Sequence, residues 1–526
     1  MSIGTERPGF LTLTIDGKIT EVPEGSTILE AAESIGIRIP TLCYLKEIPP
    51  LTSCMICVVK VDGKRNLVPS CATLAEEGMI VTNDAPEIYA ARKTALELLL
   101  SDHAGDCMGP CQVACPASMD IPAMLRYMAE GQYEKAIETI KEHIALPAVT
   151  GYICPAPCEK VCRRGQMDAP ISIKLVKRCA ALIDLAQKSP YKPDLLSDIN
   201  KKVAIIGSGP AGLGAAYHLK KNGVSCTIFD DHDKPGGMLR YEIPEQKLPG
   251  SILDAEIEQI RCLGVEFRQG VHIGRDLTLK DLMESFDAVF LGIGNVSENS
   301  IKMFGLDTDQ KGLKINRDTL QTSMPNVFAG GDIRKGLKLA VRSLADGRKA
   351  AEGILKFLKG EAVTGNVRPF NSRMGKIGQE ELSLFTDSTG TNKPHVINTF
   401  DEMDKEEASS ESRYCLHCDC RKKNACRLRT FADEYGAKEG KYVGARRTFV
   451  RMKGVHDIVY EPGKCISCGI CVKITEKQGE RLGLTFIGRG FDVKVAVPFD
   501  RSIEEGLSKT AEEVVNACPT GALVFK

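Results

Sequence analysis

Residues 10–22, FLTLTIDGKITEV, alternate apolar and polar positions on both sides of an Asp-Gly pair, which predicts a β-hairpin. The period then lengthens in GSTILEAAESIGI, predicting a short helix with Ser26 or Thr27 as its N-cap. MICVVKV and NLVPSCAT restore the alternation across a second Asp-Gly turn. A helical period dominates MDIPAMLRYMAEGQYEKAIETIKEHIA. The short apolar run KVAII then enters a glycine-rich turn and the helical AGLGAAYHLKKNG, and the second strand SCTIFD follows. After ILKFLKGEA the regular pattern fades, and the polar DSTGTNKPHVINTFDEMDKEEASSES predicts a solvated linker. These switches of period predict a multidomain chain of α/β and α+β parts. The expected divisions are a β-grasp domain at 1–85, a helical domain at 86–200, a truncated Rossmann-type domain at 201–365 and a linker at 366–410. A cysteine-rich segment at 411–450 and a ferredoxin-like domain at 451–526 complete the chain.

Charge narrows the function. Lys+Arg and Asp+Glu both number 69, which argues against a nucleic-acid or anionic-membrane partner. No apolar run approaches the roughly 18 residues of a membrane-spanning helix, and no signal-peptide layout is present, so a cytoplasmic protein without membrane insertion is expected. The 21 cysteines are clustered, which in such a compartment points to metal or iron–sulfur ligation rather than disulfides.

Cys43, Cys54, Cys57 and Cys71 follow a C-x10-C-x2-C-x13-C spacing. Four thiolates can hold a 2Fe–2S cluster, two on each iron; a zinc site or four core thiols are the other readings. The long first gap resembles the N-terminal domain of the large iron–sulfur subunit of respiratory complex I and of iron-only hydrogenases.

Two C-x3-C-x3-C triplets follow, Cys107, Cys111 and Cys115, then Cys154, Cys158 and Cys162. The block resembles the iron–sulfur domain of the glutamate synthase small subunit and of dihydropyrimidine dehydrogenase. That resemblance implies one 4Fe–4S cluster on Cys107, Cys111 and Cys162, and another on Cys115, Cys154 and Cys158. The family's first cysteine pair is reduced here to Cys107. HAGDC resembles the His-x3-Cys motif of the complex I subunit, which implies His103 as the missing ligand. For the second cluster the family's Gln or Glu position holds Lys177, and Cys179 is the substitute expected.

Gly207, Gly209 and Gly212 form G-x-G-x-x-G between strand and helix, and Asp230 ends the next strand, 23 residues after Gly207. This combination cradles a dinucleotide pyrophosphate at a helix N-terminus and offers a carboxylate to a ribose. KPGGMLRYEIPEQKLP and TSMPNVFAGGDIRKG resemble flavin motifs of the glutamate synthase small subunit and the pyridine nucleotide–disulfide oxidoreductases. The resemblance implies FAD, bound by Gly207, Gly209, Pro210, Ala211, Gly212, Asp230, Gly237, Leu239, Gly292, Gly331 and Asp332. In that family a second Rossmann unit for NAD(P)H stands between those motifs. Here only 84 residues separate Gly237 from Thr322, and GIGNVSE is a poor glycine turn with no amphipathic helix behind it. The nicotinamide unit is therefore expected to be missing.

Cys415, Cys418, Cys420 and Cys426 crowd into CLHCDCRKKNAC, a site for a cluster or a structural zinc. Cys465, Cys468 and Cys471 with the remote Cys518 form a C-x2-C-x2-C plus C-P ferredoxin pattern for one 4Fe–4S cluster. Cys226 and Cys262 are expected in the core. Together these features predict one FAD, one 2Fe–2S cluster and three to four 4Fe–4S clusters in an electron-transfer oxidoreductase subunit. Expected partners are diaphorase, hydrogenase or formate dehydrogenase-like subunits, with ferredoxin as a candidate donor. A self-sufficient NAD(P)H oxidoreductase is the alternative.

Overall fold

The computed structural model describes residues 9–295, 301, 304–310, 312–333, 339–365, 369–386, 393, 402–442, 444–453 and 458–525. They form two compact units. The first contains residues 1–108, 369–387 and 418–526, and the second contains 109–368 and 388–417. The second unit thus interrupts the first in sequence.

In the first unit, β1 (Phe10–Ile15) and β2 (Lys18–Pro23) form the expected hairpin, with Asp16 and Gly17 both at positive φ. Its register places Leu13 and Ile15 in the core. Helix Ile28–Ser34 starts at Thr27, which forms a reciprocal capping box with Glu30. Strands β3 (Val58–Val61), β4 (Val68–Pro69) and β5 (Ile80–Thr82) complete a sheet of order β2-β1-β5-β3-β4, in which β1 and β5 run parallel. A small sheet of Met452–Lys453, Ile458–Tyr460 and Leu523–Phe525 carries the end of the chain. Helix Gln379–Thr386 falls inside the expected linker, yet it buries Phe385, which stacks on Phe449 with ring centroids 4.4 Å apart.

The second unit combines a helical part with a parallel sheet. Helices Ile121–Ala129, Tyr133–Lys141, Pro147–Ile153 and Ile173–Leu185 share one core, as the helical period predicts. The sheet strands are β6 (Lys202–Ile206), β7 (Ser225–Asp230), β8 (Glu266–Gln269), β9 (Ala288–Leu291) and, after the hairpin of β10 (Thr308–Asp309) and β11 (Gly312–Leu313), β12 (Val327–Ala329). Their order is β12-β9-β6-β7-β8, and the fully apolar faces of β6 and β9 explain why they lie inside. Of GIGNVSE, residues 296–298 lie outside the described residues.

The linker expectation also fails at Lys405–Arg413. This helix is capped by Asp404 and buries Ala408, Ser409, Glu411 and Ser412. Glu411 accepts from Ser172 N at 2.7 Å and pairs with the buried Lys393 at 2.9 Å, so an acidic segment is held by specific partners rather than solvated. Cys226 is buried as expected, whereas Cys262 is exposed because its helix, Gly250–Arg261, ends there.

One buried acid in this unit makes stability depend on pH. Glu256 accepts from Ala148 N and Val149 N, each at 2.8 Å, but burial outweighs these bonds and pushes its carboxyl up to about 7. The folded chain therefore holds a proton that the unfolded chain has released between about pH 4.3 and 7. Stability from this group falls as pH rises through that window. The thermal midpoint should drop between pH 5.5 and 7.5, and Glu256→Gln should flatten that drop.

Candidate functional site

The N-terminal cysteines are brought together as two pairs. Cys43 and Cys54 sulfurs lie 3.3 Å apart, and those of Cys57 and Cys71 lie 3.4 Å apart, all buried. Positive φ at Thr52 and Met55 turns the loop so that both cysteines of the C-x2-C step face inward. The hydrogen bond between the Cys43 and Cys54 sulfurs holds Cys43 down at about 5, and that between Cys57 and Cys71 holds Cys57 at about 7. The same bonds, with burial, push the partners Cys54 and Cys71 up, and two buried sulfur pairs fit a two-iron cluster with two sulfurs on each iron.

At the other end of the chain, Cys465, Cys468, Cys471 and Cys518 line one small cavity closed by Tyr460, Val495 and Leu523. Ser467 N donates to the Cys465 sulfur at 3.3 Å. Gly469 at positive φ starts helix Ile470–Lys477 and lets the three-cysteine loop wrap. Burial raises the Cys465 thiol to about 11 and Cys468 to about 12, so an apolar pocket surrounds four thiols whose ionised form needs a metal to compensate it. The donor set fits a 4Fe–4S cluster.

The middle cysteines regroup. Cys107 belongs to the first unit, and Cys111 belongs to the second. Cys420 N donates to Cys107 O at 3.1 Å, and the thiols of Cys107, Cys420 and Cys426 act on one another electrostatically. Gly521 makes room for this set, since a Cβ there would stand 2.3 Å from the Cys420 sulfur. Lys464 joins them, because its charge acts on His103 and Cys107 and is itself favoured by Cys420. His103 Nδ1 is buried with no hydrogen-bond partner among the described residues. Burial first, and the Lys464 ammonium second, lower His103 to about 4 and keep its imidazole neutral, the form that binds metal. Cys107, Cys420 and Cys426 are thus neighbours in the first unit, with Lys464 between them and His103. The chain leaves the first unit after Met108, rejoins it at Pro369, leaves it again after Asp387 and rejoins it at Cys418.

In the second unit, Cys111 sits in helix Pro110–Ala114 and Cys115 at its C-cap, while Cys154 caps helix Pro147–Ile153. Cys158 is buried, and the charges of Cys115 and Cys154 act on its thiol. Arg164, two residues beyond Cys162, donates to Tyr414 O at 2.7 Å and stacks on the Tyr414 ring at 5.0 Å. That contact carries Cys415 towards Cys162, and His417 N donates to the Cys415 sulfur at 3.5 Å. Cys418 is the first residue after the chain leaves this unit. Cys179 departs from expectation: its thiol meets Asp404 O at 3.5 Å, on another side of the helix from Lys177. Lys177 instead acts on Cys158 and donates to Thr150 Oγ1 at 2.9 Å.

The glycine turn opens on a cleft of about 1120 Å³, lined by Gly207, Gly209, Pro210, Ala211, Asp230, Gly237, Gly292, Gly331 and Asp332. Gly207 has φ +100°, and a Cβ there would meet Gly292 O at 2.5 Å. Gly212 packs helix Pro210–Lys221 on the turn; its Cβ would stand 1.9 Å from Gly207 O. A Cβ at Gly209 would meet nothing, so that position faces open space at the helix N-terminus, where a pyrophosphate fits. Asp230 accepts from Ser208 N and Oγ, both at 2.6 Å, and orients the turn. Leu239 is not at this wall: it is buried in the core beneath it. The motif reading missed His232, which stacks on Tyr241 with centroids 4.4 Å apart, both at the cleft. Neither residue type carries a dinucleotide signal by itself.

Cysteine sets with cluster spacing and a dinucleotide cleft define an iron–sulfur redox protein with a Rossmann-type nucleotide domain. Comparison with known proteins agrees. Residues 10–86 match the family described as 2Fe-2S iron-sulfur cluster binding domain, residues 96–189 dihydropyrimidine dehydrogenase domain II, 4Fe-4S cluster, and residues 205–261 the NAD(P)-binding Rossmann-like domain. The chain is 34% identical over 49% of its length to the NADP(+)-dependent formate dehydrogenase subunit beta of Moorella thermoacetica, covering 41% of that protein. It is 36% identical over 39% of its length to the NADPH-Fe(3+) oxidoreductase subunit beta of Geobacter sulfurreducens, covering 30% of it. It is 37% identical over 39% of its length to the glutamate synthase [NADPH] small chain of Mycobacterium tuberculosis, covering 42% of it. The chain thus spans less than half the length of these relatives. Among the described residues no helix is long and apolar enough to cross a membrane.

Proposed function

We propose that this chain is an FAD-containing iron–sulfur electron-transfer subunit of a larger oxidoreductase. The observation that carries this reading is the gathering of cysteines remote in sequence into buried sets within a chain that also holds a dinucleotide cleft. The flavin, when bound, exchanges two electrons and the clusters one at a time. The first unit would hold a 2Fe–2S cluster on Cys43, Cys54, Cys57 and Cys71. It would hold 4Fe–4S clusters on Cys465, Cys468, Cys471 and Cys518, and on His103, Cys107, Cys420 and Cys426. In the second unit, Cys115, Cys154 and Cys158 would serve one cluster, and Cys111, Cys162 and Cys415 another. Gly209 and the helix N-terminus would receive the pyrophosphate, and Asp230 keeps the turn in register. FAD rather than a nicotinamide is supported by the GG and Gly-Asp segments, whose Gly237, Gly331 and Asp332 reach the same cleft.

The short hairpin passage from β9 to β12 supports a chain without its own NAD(P)H unit. Partner subunits of diaphorase, hydrogenase or formate dehydrogenase type, or a ferredoxin, would then supply or remove electrons, in keeping with the names of the relatives.

Anaerobically purified chain should contain about one flavin and roughly 14–18 irons by the ligand arithmetic of such sites. Dithionite should bleach the flavin, whereas rapid mixing with NADH or NADPH should not do so within about 0.1 s, a typical turnover time. Fast reduction by either nucleotide would transfer support to the self-sufficient alternative. Fewer than about ten irons alongside stoichiometric zinc would end the electron-wire reading.

A further inference from the structure

Arg427 directly follows Cys426 and stands where three cysteine sets of the first unit converge. Its backbone N donates to Pro519 O at 2.9 Å, one residue beyond Cys518. Its Nη2 donates to Thr41 Oγ1 at 2.6 Å and also to the Thr41 carbonyl, two residues before Cys43. Thr41 is buried, and Arg427 itself is half-buried. Among the described residues no carboxylate lies within ion-pair distance of this guanidinium. The groups that favour its charge are the sulfurs of Cys54, Cys468 and Cys43, and they oppose the cost of burying it. The contact between the two loops is direct, since Ser53 Oγ donates to Cys468 O at 3.4 Å.

We propose that Arg427 is a positioning residue that brackets the Cys43–Cys71 site to the Cys465–Cys518 site and raises the reduction potential of both through its fixed charge. The inference rests on the reading of these two sites as iron–sulfur clusters. Its physical basis is simple. Reduction adds one negative charge to a cluster, and a half-buried guanidinium with no carboxylate partner among the described residues stabilises that charge where water screens it only in part. A positive charge shared by two neighbouring sites also keeps their potentials moving together, which suits a direct electron step between them. Arginine is suited to this place because its Nη2 alone reaches both Thr41 acceptors and the guanidinium stays charged at any working pH.

EPR-monitored redox titration of the full, cluster-loaded chain tests this in Arg427→Gln and Arg427→Lys. In the Gln variant both clusters should become about tenfold harder to reduce, equivalent to 59 mV for a one-electron couple. The Lys variant should recover most of that shift. The cluster on Cys115, Cys154 and Cys158 should keep its potential in both. Intact signals with less than a twofold change in the Gln variant would overturn the proposal. So would a Lys variant shifted as far as the Gln variant. If Arg427→Gln loses either cluster, the Lys variant decides: retained clusters near wild-type potentials uphold the charge role, and their loss overturns it. A wild-type chain without a 2Fe–2S signal would fail the underlying cluster assignment instead, and would be recognised before any variant is made.

Discussion

Cys107→Ser and Cys420→Ser should abolish the same iron–sulfur signal, although 312 residues separate them in the chain. Each removes one of four ligands from the set in which Cys420 N already bonds Cys107 O. Each variant should lose about four irons, while the signals of the N-terminal and C-terminal clusters persist. Cys415→Ser should remove a different signal, shared with Cys162→Ser, because Arg164 and Tyr414 carry those two cysteines together. His103→Cys should keep the Cys107 cluster and lower its potential, since a thiolate donates more charge than an imidazole. Iron analysis and EPR of the variants check the pattern. Identical spectra for Cys420→Ser and Cys415→Ser would restore the local grouping and refute the regrouped one.

Gly212→Val should strip the chain of flavin. The added Cβ would lie 1.9 Å from Gly207 O, a backbone atom that cannot step aside, so the helix must retreat from the strand and its N-terminus from the pyrophosphate. Flavin content should fall at least about tenfold, the equivalent of roughly 1.4 kcal/mol in binding. The cluster signals of the first unit should remain. Gly209→Ala provides the sharper contrast. No atom lies near its Cβ, so the apo chain should melt like the wild type and still hold flavin less tightly, because the methyl occupies room the pyrophosphate needs. Flavin titration of both variants, with thermal melts of the apo chain, checks this. An unchanged flavin affinity in Gly212→Val would detach the cleft from the cofactor.

Short-range chemistry was legible in the sequence. The Asp16-Gly17 hairpin, the Thr27 cap, the glycine turn ending at Gly212 and the Cys465–Cys471 loop each depend on residues within one turn or one strand pair. Such features are dictated by backbone sterics and local hydrogen bonding, which a sequence displays directly. The set Cys43, Cys54, Cys57 and Cys71 was also legible from its spacing, while its pairing as Cys43 with Cys54 and Cys57 with Cys71 came from the fold. Where the expectation went wrong, the deciding contacts were long-range. The helix Lys405–Arg413 has an acidic, poorly amphipathic sequence, and it is buried because Lys393 and Ser172 N satisfy Glu411. Cys179 was expected as the substitute ligand although it stands two residues from Lys177, on a different side of a regular helix, and its thiol meets Asp404 O.

The sequence by itself therefore determined the chemistry of this protein: a redox chain of cysteine sets beside a dinucleotide turn, with local spacings that select iron–sulfur ligation. Only the tertiary structure brings Cys420 to Cys107, the contact on which their proposed sharing of one site rests. A C-x2-C-x-C-x5-C run states distances along the chain, and those lose meaning where the chain passes from one compact unit to another. Residues 109–368 and 388–417 are both excursions between Cys107 and Cys420, which still meet within the first unit. Ligand geometry is a property of folded space, and loop-closure entropy grows too slowly with length to forbid a set completed across 300 residues.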